Sequence, residues 1–154
     1  MGDRHKQRSV IPKSAVNLKQ EFKYITENPA IMEGWTLEGN SASVLVSIRF
    51  LQHHYECFSD WEKQEMKVFW DFLEKLHNYT WQQIYDGSRK SDKAGLALTR
   101  IPRRNYPDGE FCQLLDDQIE LFEFRVDQAK RVHGFRMKSL FFLCWLDKNH
   151  RICP

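Results

Sequence analysis

No apolar run in the 154 residues approaches the ~18–20 that a membrane helix requires. The longest, Leu140 to Leu146, has the length of a strand. No apolar stretch follows Met1-Gly2-Asp3-Arg4-His5-Lys6, so no secretory signal is read and a cytoplasmic location is expected. Charge of one sign is also scarce: 23 Lys and Arg against 21 Asp and Glu leave a net charge of +2. That lies far from the strongly basic balance of dedicated nucleic-acid binders, so an argument for a polyanionic partner must rest on where the charges fall. The four cysteines, Cys57, Cys112, Cys144 and Cys153, form no Cys-x-x-Cys pair, which argues against a zinc ribbon and a thioredoxin-type couple. All four are expected as free thiols, with Cys144 a small core residue inside an apolar strand. A P-loop, a dinucleotide glycine fingerprint, a Gly-x-Ser-x-Gly elbow and a His-x-x-His pair are missing as well. Nucleotide-cofactor enzymes and nucleophilic hydrolases therefore lose ground, and neither a cofactor nor a metal site is expected. His53 and His54 are adjacent, so on a strand they would point to opposite faces.

Aromatic residues, by contrast, are plentiful. Eleven Phe, 5 Trp and 5 Tyr within a chain that is 42% apolar suffice for one packed domain. Residues 1–20 read as a basic tail carrying Arg4, Lys6, Arg8, Lys13 and Lys19, and residues 21–154 as a single α+β domain with its core over 44–152. Val44 to Leu51 alternates and predicts a strand with Val44, Val46, Ile48 and Phe50 on one face. Ser59 and Glu62 have the spacing of a capping box, and Met66, Phe69, Trp70, Leu73 and Leu76 continue at helical period, so a helix is expected over 60–78. Thr80 and Gln83 open a second, short helix that Gly87 should stop. Joined this closely, the two predict an antiparallel helical hairpin.

Residues 87–109 read as a loop rich in Gly, Pro and cations: Arg89, Lys90, Lys93, Arg100, Arg103 and Arg104 against only Asp92 and Asp108. Three strands should follow. Ile119 to Val126 alternates, Lys130 to Arg136 comes after a turn at Asp127-Gln128, and Leu140 to Leu146 is apolar throughout. An uninterrupted apolar strand implies a central position covered on both faces. The expected architecture is thus a helical hairpin packed on a small antiparallel β-sheet.

This order of elements resembles the RelE and ParE superfamily of small toxins. The resemblance spans roughly residues 44 to 152 and rests on three stretches. They are Phe122-Glu123-Phe124-Arg125-Val126, Arg131-Val132-His133-Gly134-Phe135-Arg136, and Phe141-Phe142-Leu143-Cys144-Trp145-Leu146-Asp147-Lys148-Asn149-His150. The chain exceeds a typical member by its first ~40 residues and by the 87–109 loop. The resemblance implies a toxin–antitoxin setting, with RNA or the ribosome as target and a cognate antitoxin or other protein as partner. In that family the scaffold serves either ribosome-dependent cleavage of messenger RNA or inhibition of DNA gyrase by contact, and fold alone does not choose.

Metal-free RNA cleavage needs a base for the 2′-hydroxyl, an acid for the leaving oxygen, and cations for the charge growing on phosphorus. His133 and His150 are the candidate proton-transfer groups, with Arg131 beside them. Arg125 and Arg136, on neighbouring strands, would hold phosphate with Arg131, and Arg100, Arg103 and Arg104 extend that basic surface. Arg131 and His133 share a face by their spacing, whereas Arg136 has the opposite parity unless the turn begins early. The same arginines would equally serve as cross-strand partners of Glu120, Glu123 and Asp127. Asp147, three residues before His150, is placed to orient that imidazole or simply to cap the turn. Two functions stay open: a toxin-like endoribonuclease, or a non-catalytic phage or mobile-element interaction protein that binds a host protein or nucleic acid through a basic face. Geometry decides between them: catalysis needs an imidazole within ~3–7 Å of an arginine fork in one concavity, and histidines that face the core or opposite sides of the sheet would exclude it.

Overall fold

The computed structural model of the chain describes residues 39–89 and 96–154. The expected basic tail, the stretch up to residue 38, and Lys90 and Lys93 lie outside the described residues. Among those described, the strands are β1 (Leu45–Ser47), β2 (Leu98–Arg100), β3 (Phe122–Arg125), β4 (Arg131–Met137) and β5 (Leu140–Asp147). The α-helices are α1 (Lys63–His77), α2 (Trp81–Arg89) and α3 (Glu110–Leu114). The strands form one sheet in the order β1-β5-β4-β3-β2. β1 runs parallel to β5 and the remaining pairs are antiparallel, so the sheet is mixed rather than purely antiparallel. None of the described helices is long and apolar enough to cross a membrane.

Local chemistry explains most of the boundaries. Glu62, not Ser59, caps α1: the Glu62 N–H donates to the Glu65 carboxylate at 2.8 Å, and Glu62 in turn accepts from the Glu65 N–H. Ser59 is held in a separate 3-10 turn, Phe58–Asp60. At α2 the predicted box is present. The Thr80 N–H donates to Gln83 Oε1 at 2.9 Å and the Gln83 N–H to Thr80 Oγ1 at 3.3 Å. Gly87 does not end this helix, which continues to Arg89. The Ser88 hydroxyl donates to the Ile84 carbonyl at 2.6 Å and accepts from the Leu98 N–H at 2.9 Å, tying the helix end to β2. The presumed 87–109 loop thereby contains an edge strand. The strand expected over Val44 to Leu51 is shortened to β1, because the Leu51 N–H turns back onto the Ile48 carbonyl at 3.0 Å. Ile48 is left exposed, and Phe50 crosses to the other side of the sheet to meet Phe135 and Phe142.

β5 is covered on both faces, as its composition predicts. On one face Phe69, Phe72 and Leu76 of α1 and Trp81 and Ile84 of α2 pack against Phe122, Phe124, Val132, Phe141, Leu143 and Leu146. Burying a side chain of this kind contributes about 1.5–3 kcal/mol each. On the other face lies a second core of Ile101, Tyr106, Leu121, Phe135, Phe142, Cys144, Trp145 and Ile152, closed by Tyr55 and by Phe111 of α3. One irregularity shapes that face. His133 pairs with Trp145 but Gly134 with Leu143, so Cys144 bulges out of the ladder. Its carbonyl accepts the Gln52 N–H at 2.7 Å, and burial pushes its thiol pKa up.

Candidate functional site

Strand register places two of the three candidate catalytic residues, Arg131 and His133, and the turn after β5 brings in His150. Glu123 of β3 stands opposite His133 of β4, and Arg131 of β4 opposite Asp147 of β5. His133 Nε2 lies 3.3 Å from Asp147 Oδ2 and 3.7 Å from Glu123 Oε2. His150 Nε2 approaches the same Glu123 oxygen at 3.9 Å, and Arg131 Nε approaches Glu123 Oε1 at 3.7 Å. His133, His150 and Arg131 thus converge on one carboxylate, whose Oε2 is buried without a hydrogen-bond partner among the described residues.

Burial sets what this cluster can do. His133 and Asp147 are both 0% exposed. Asp147 accepts the Arg151 N–H at 2.8 Å and the Ile152 N–H at 3.0 Å as well as His133, so it holds the terminal turn. Burial pushes the Asp147 carboxyl up, but these hydrogen bonds outweigh it and leave the pKa below the ordinary Asp value. With Nε2–H donated to Asp147, His133 Nδ1 accepts from the Tyr106 hydroxyl at 3.2 Å, a tautomer assigned from the network. Burial, reinforced by Glu123, drives the Tyr106 pKa upward. Hydroxyl, imidazole and carboxylate stand in the order of a hydrolytic triad, yet the Tyr106 ring packs on Trp145 at 4.7 Å inside the second core. His133 therefore has no exposed surface of its own. Asp147 orients that residue rather than His150, whose side chain is 27% exposed and whose backbone takes a left-handed φ of 52°.

The arginines do not converge on one pocket, although Arg125 and Arg131 are cross-strand partners. Arg131 is nearly buried, and its Nη1 donates to the carbonyls of Asp127 at 2.8 Å and Lys130 at 3.0 Å. Burial lowers its pKa, with Glu123 opposing. Arg125 donates to the Asp127 carbonyl at 3.1 Å. Arg136 lies on the opposite face of β4, the helix-covered one, so it does not complete a clamp with Arg131. It donates to the carbonyls of Lys138 (2.6 Å) and Gly39 (2.8 Å), to Asn40 Oδ1 (2.7 Å) and to the Tyr85 hydroxyl (3.1 Å). Its guanidinium sits 4.5 Å from the Trp81 ring centroid. Arg103 staples a loop by donating to the carbonyls of Leu115 (2.8 Å) and Asp116 (2.6 Å), while Arg104 stays exposed. Arg100 pairs with Glu120 at 3.0 Å, its side chain 63% exposed.

The expected phosphate contacts fall into three separate pairs: Arg125 and Arg131 face each other across β3 and β4 and meet at the Asp127 carbonyl, Arg103 and Arg104 line one cavity, and Arg100 and Arg136 line another. The Arg100–Arg136 cleft, of about 530 Å³, also takes in Tyr85, Gln118 and Glu120. A neighbouring hollow adds Ser88, Arg89 and Thr99 beside the same Tyr85 and Arg100. The Tyr85 contribution escaped the sequence reading, although its place on the second helix was the available signal. His53 and His54 do not splay apart on a strand; they occupy a turn with ring centroids 4.0 Å apart. Among the described residues, no group of three or more His, Cys, Asp or Glu is arranged to hold a metal ion. No family model, curated protein or solved structure matches the chain.

Proposed function

We propose that the chain is a toxin-like protein that acts by binding RNA along the Arg100–Arg136 cleft rather than by cutting it. The observation that carries this reading is the Arg136 guanidinium, fixed by four acceptors and stacked on Trp81 beside the exposed Arg100. A pre-positioned cation beside Tyr85, whose side chain lines the same cleft, supports a backbone-tracking groove with an aromatic wall. The Arg100–Glu120 pair is exposed, and such pairs contribute only ~0–1 kcal/mol, so phosphate displaces the carboxylate at little cost. The burial of His133 counts against the nuclease mechanism that its position suggests. The toxin-like character rests on the sequence resemblance.

The test is fluorescence anisotropy with a single-stranded RNA oligonucleotide at two salt concentrations. Arg100→Glu and Arg89→Glu are expected to weaken binding at least tenfold and to flatten its salt dependence. Arg104→Glu, facing a different cavity, should leave it unchanged. Equal affinity for all four proteins would overturn the reading.

A second reading is favoured by one observation, the convergence of the partly exposed His150 and of Arg131 on Glu123. There the protein cleaves RNA: His150 takes the proton of the 2′-hydroxyl as its oxygen bonds to phosphorus, the P–O5′ bond breaks with a proton returned to the leaving oxygen by the imidazolium or by water, and Arg131 supports the charge. Regulated expression in bacteria separates the two. Cut transcripts, spared by His150→Ala or Arg131→Ala, support cleavage, whereas growth arrest with intact transcripts supports binding alone.

A further inference from the structure

A second groove lies on the far face of the sheet, between the 52–55 segment and α3, with a volume of about 670 Å³. Tyr55, Phe111 and Trp145 form its floor and Leu114 stands at its rim, 75% exposed. Phe50, also partly exposed, continues this surface by packing on Phe111 with ring centroids 6.2 Å apart. Asp108 and Glu110 border the groove, and no Lys or Arg lines it. Neither acid makes an ion pair with a described cation, although Asp108 also borders the neighbouring cavity that holds Arg103 and Arg104. This volume falls within the ~300–1,000 Å³ usual for ligand sites. Leu114 lines the groove with Phe111, which packs on Phe50, so the apolar surface is contiguous, the arrangement that marks interaction surfaces.

We propose that this groove binds a basic, apolar peptide segment of a partner protein. An aromatic floor takes the stem of an arginine or lysine and attracts its cationic head through the ring faces, while Asp108 and Glu110 supply the counter-charge. Leu114 and Phe50 extend the apolar contact beyond one side chain, which suits a peptide better than a small ammonium ion. The cleft has Arg100 and Arg136 beside Asp116 and Glu120 on its walls, whereas the groove has Asp108 and Glu110 with His54 and no Lys or Arg, so a cationic segment meets no arginine there.

The experiment uses the full chain and a fluorescein-labelled peptide of alternating arginine and leucine, with a glutamate-for-arginine peptide as counterpart. Binding of the arginine peptide alone is expected, weakened at least tenfold by Asp108→Lys with Glu110→Lys and at least threefold by Leu114→Ser. All three positions are exposed, and an unchanged melting temperature confirms that the variants fold. RNA affinity should not fall in these variants, which keeps this test separate from that of the cleft. Equal binding of both peptides, or binding indifferent to the charge reversal, overturns the proposal. So does sedimentation showing a dimer that the same reversal dissolves, because the occupant would then be a second copy of the chain.

Discussion

His133 is held from both ends: Asp147 Oδ2 stands 3.3 Å from its Nε2 and the Tyr106 hydroxyl 3.2 Å from its Nδ1. The pair of contacts joins three separate parts of the chain, the 101–109 segment, β4 and the terminal turn. Because the Asp147 carboxyl titrates lower in the fold than in the unfolded chain, its ionised form is the one the fold stabilises. The contribution is complete above the ordinary Asp value of ~3.9 and is lost as pH falls through the depressed folded value. Asp147→Asn is therefore expected to cost about 2–3 kcal/mol at pH 7, since it removes the buried carboxylate that accepts three hydrogen bonds. The gap between the two proteins should close as pH falls below the ordinary Asp value and through the depressed folded one, as urea unfolding at stepped pH would show. A gap that persists unchanged in acid would mean that Asp147 is not ionised in the fold. Tyr106→Phe should cost about 1–2 kcal/mol at pH 7, because it leaves Nδ1 buried and unpaired.

Gly134 sits where β4 loses register with β5. A Cβ there would land on the Phe142 carbonyl oxygen and 2.9 Å from the Phe141 ring, and the first contact is backbone that cannot swing away. Gly134→Ala is expected to lower stability by about 3 kcal/mol or more, read from the urea midpoint. An unchanged midpoint would show that the bulge accommodates a methyl group and that the close approach is not rigid.

The two positions show what sequence patterning reaches. Alternation alone placed Arg131 and His133 on one face and Arg136 on the other, and the structure agrees. The uniformly apolar Leu140 to Leu146 gave the buried central strand, and the Thr80–Gln83 spacing gave the start of α2. What alternation does not report is whether the polar face of a strand meets water. Here Ile101, Tyr106, Phe111, Ile119 and Ile152 close over it, and they are scattered through segments with no period of their own. The cap of α1 was misplaced for a local reason, since Ser59 and Glu62 both offer the right spacing and a 3-10 turn takes up the first. Parallel pairing of β1 with β5 is non-local and left no mark in either strand.

Arg136 illustrates a cation retained for its shape. Its planar fork reaches four acceptors while its face stacks on Trp81, a combination that an ammonium group cannot reproduce. Arg136→Lys keeps the charge but is expected to cost about 1–2 kcal/mol, from lost hydrogen bonds and weaker stacking. A thermal scan in low and in high salt is the check. The loss should be similar in both, because short hydrogen bonds and ring contacts at a half-buried site are screened little. A loss that vanishes in high salt would reduce Arg136 to a surface charge.

Lys138 and His150 both hold left-handed backbone, with φ of 54° and 52°, a conformation that costs an L-residue roughly 1–2 kcal/mol. Lys138 occupies the two-residue turn between Met137 and Leu140, where glycine or asparagine is the ordinary solution. The strain there serves no cluster of reactive groups. Lys138→Gly should therefore raise stability by up to about 1 kcal/mol, after the greater freedom of glycine in the unfolded chain is set against the relief. Its carbonyl, which accepts from Arg136 Nε, is kept. His150→Gly relieves the same strain but also removes the imidazole from Glu123, so the two substitutions calibrate each other. An equal gain at both positions would mean that the His150–Glu123 contact adds nothing to the fold. A gain at Lys138 with no gain at His150 would measure that contact directly, and a loss at Lys138 would show that the turn depends on its side chain.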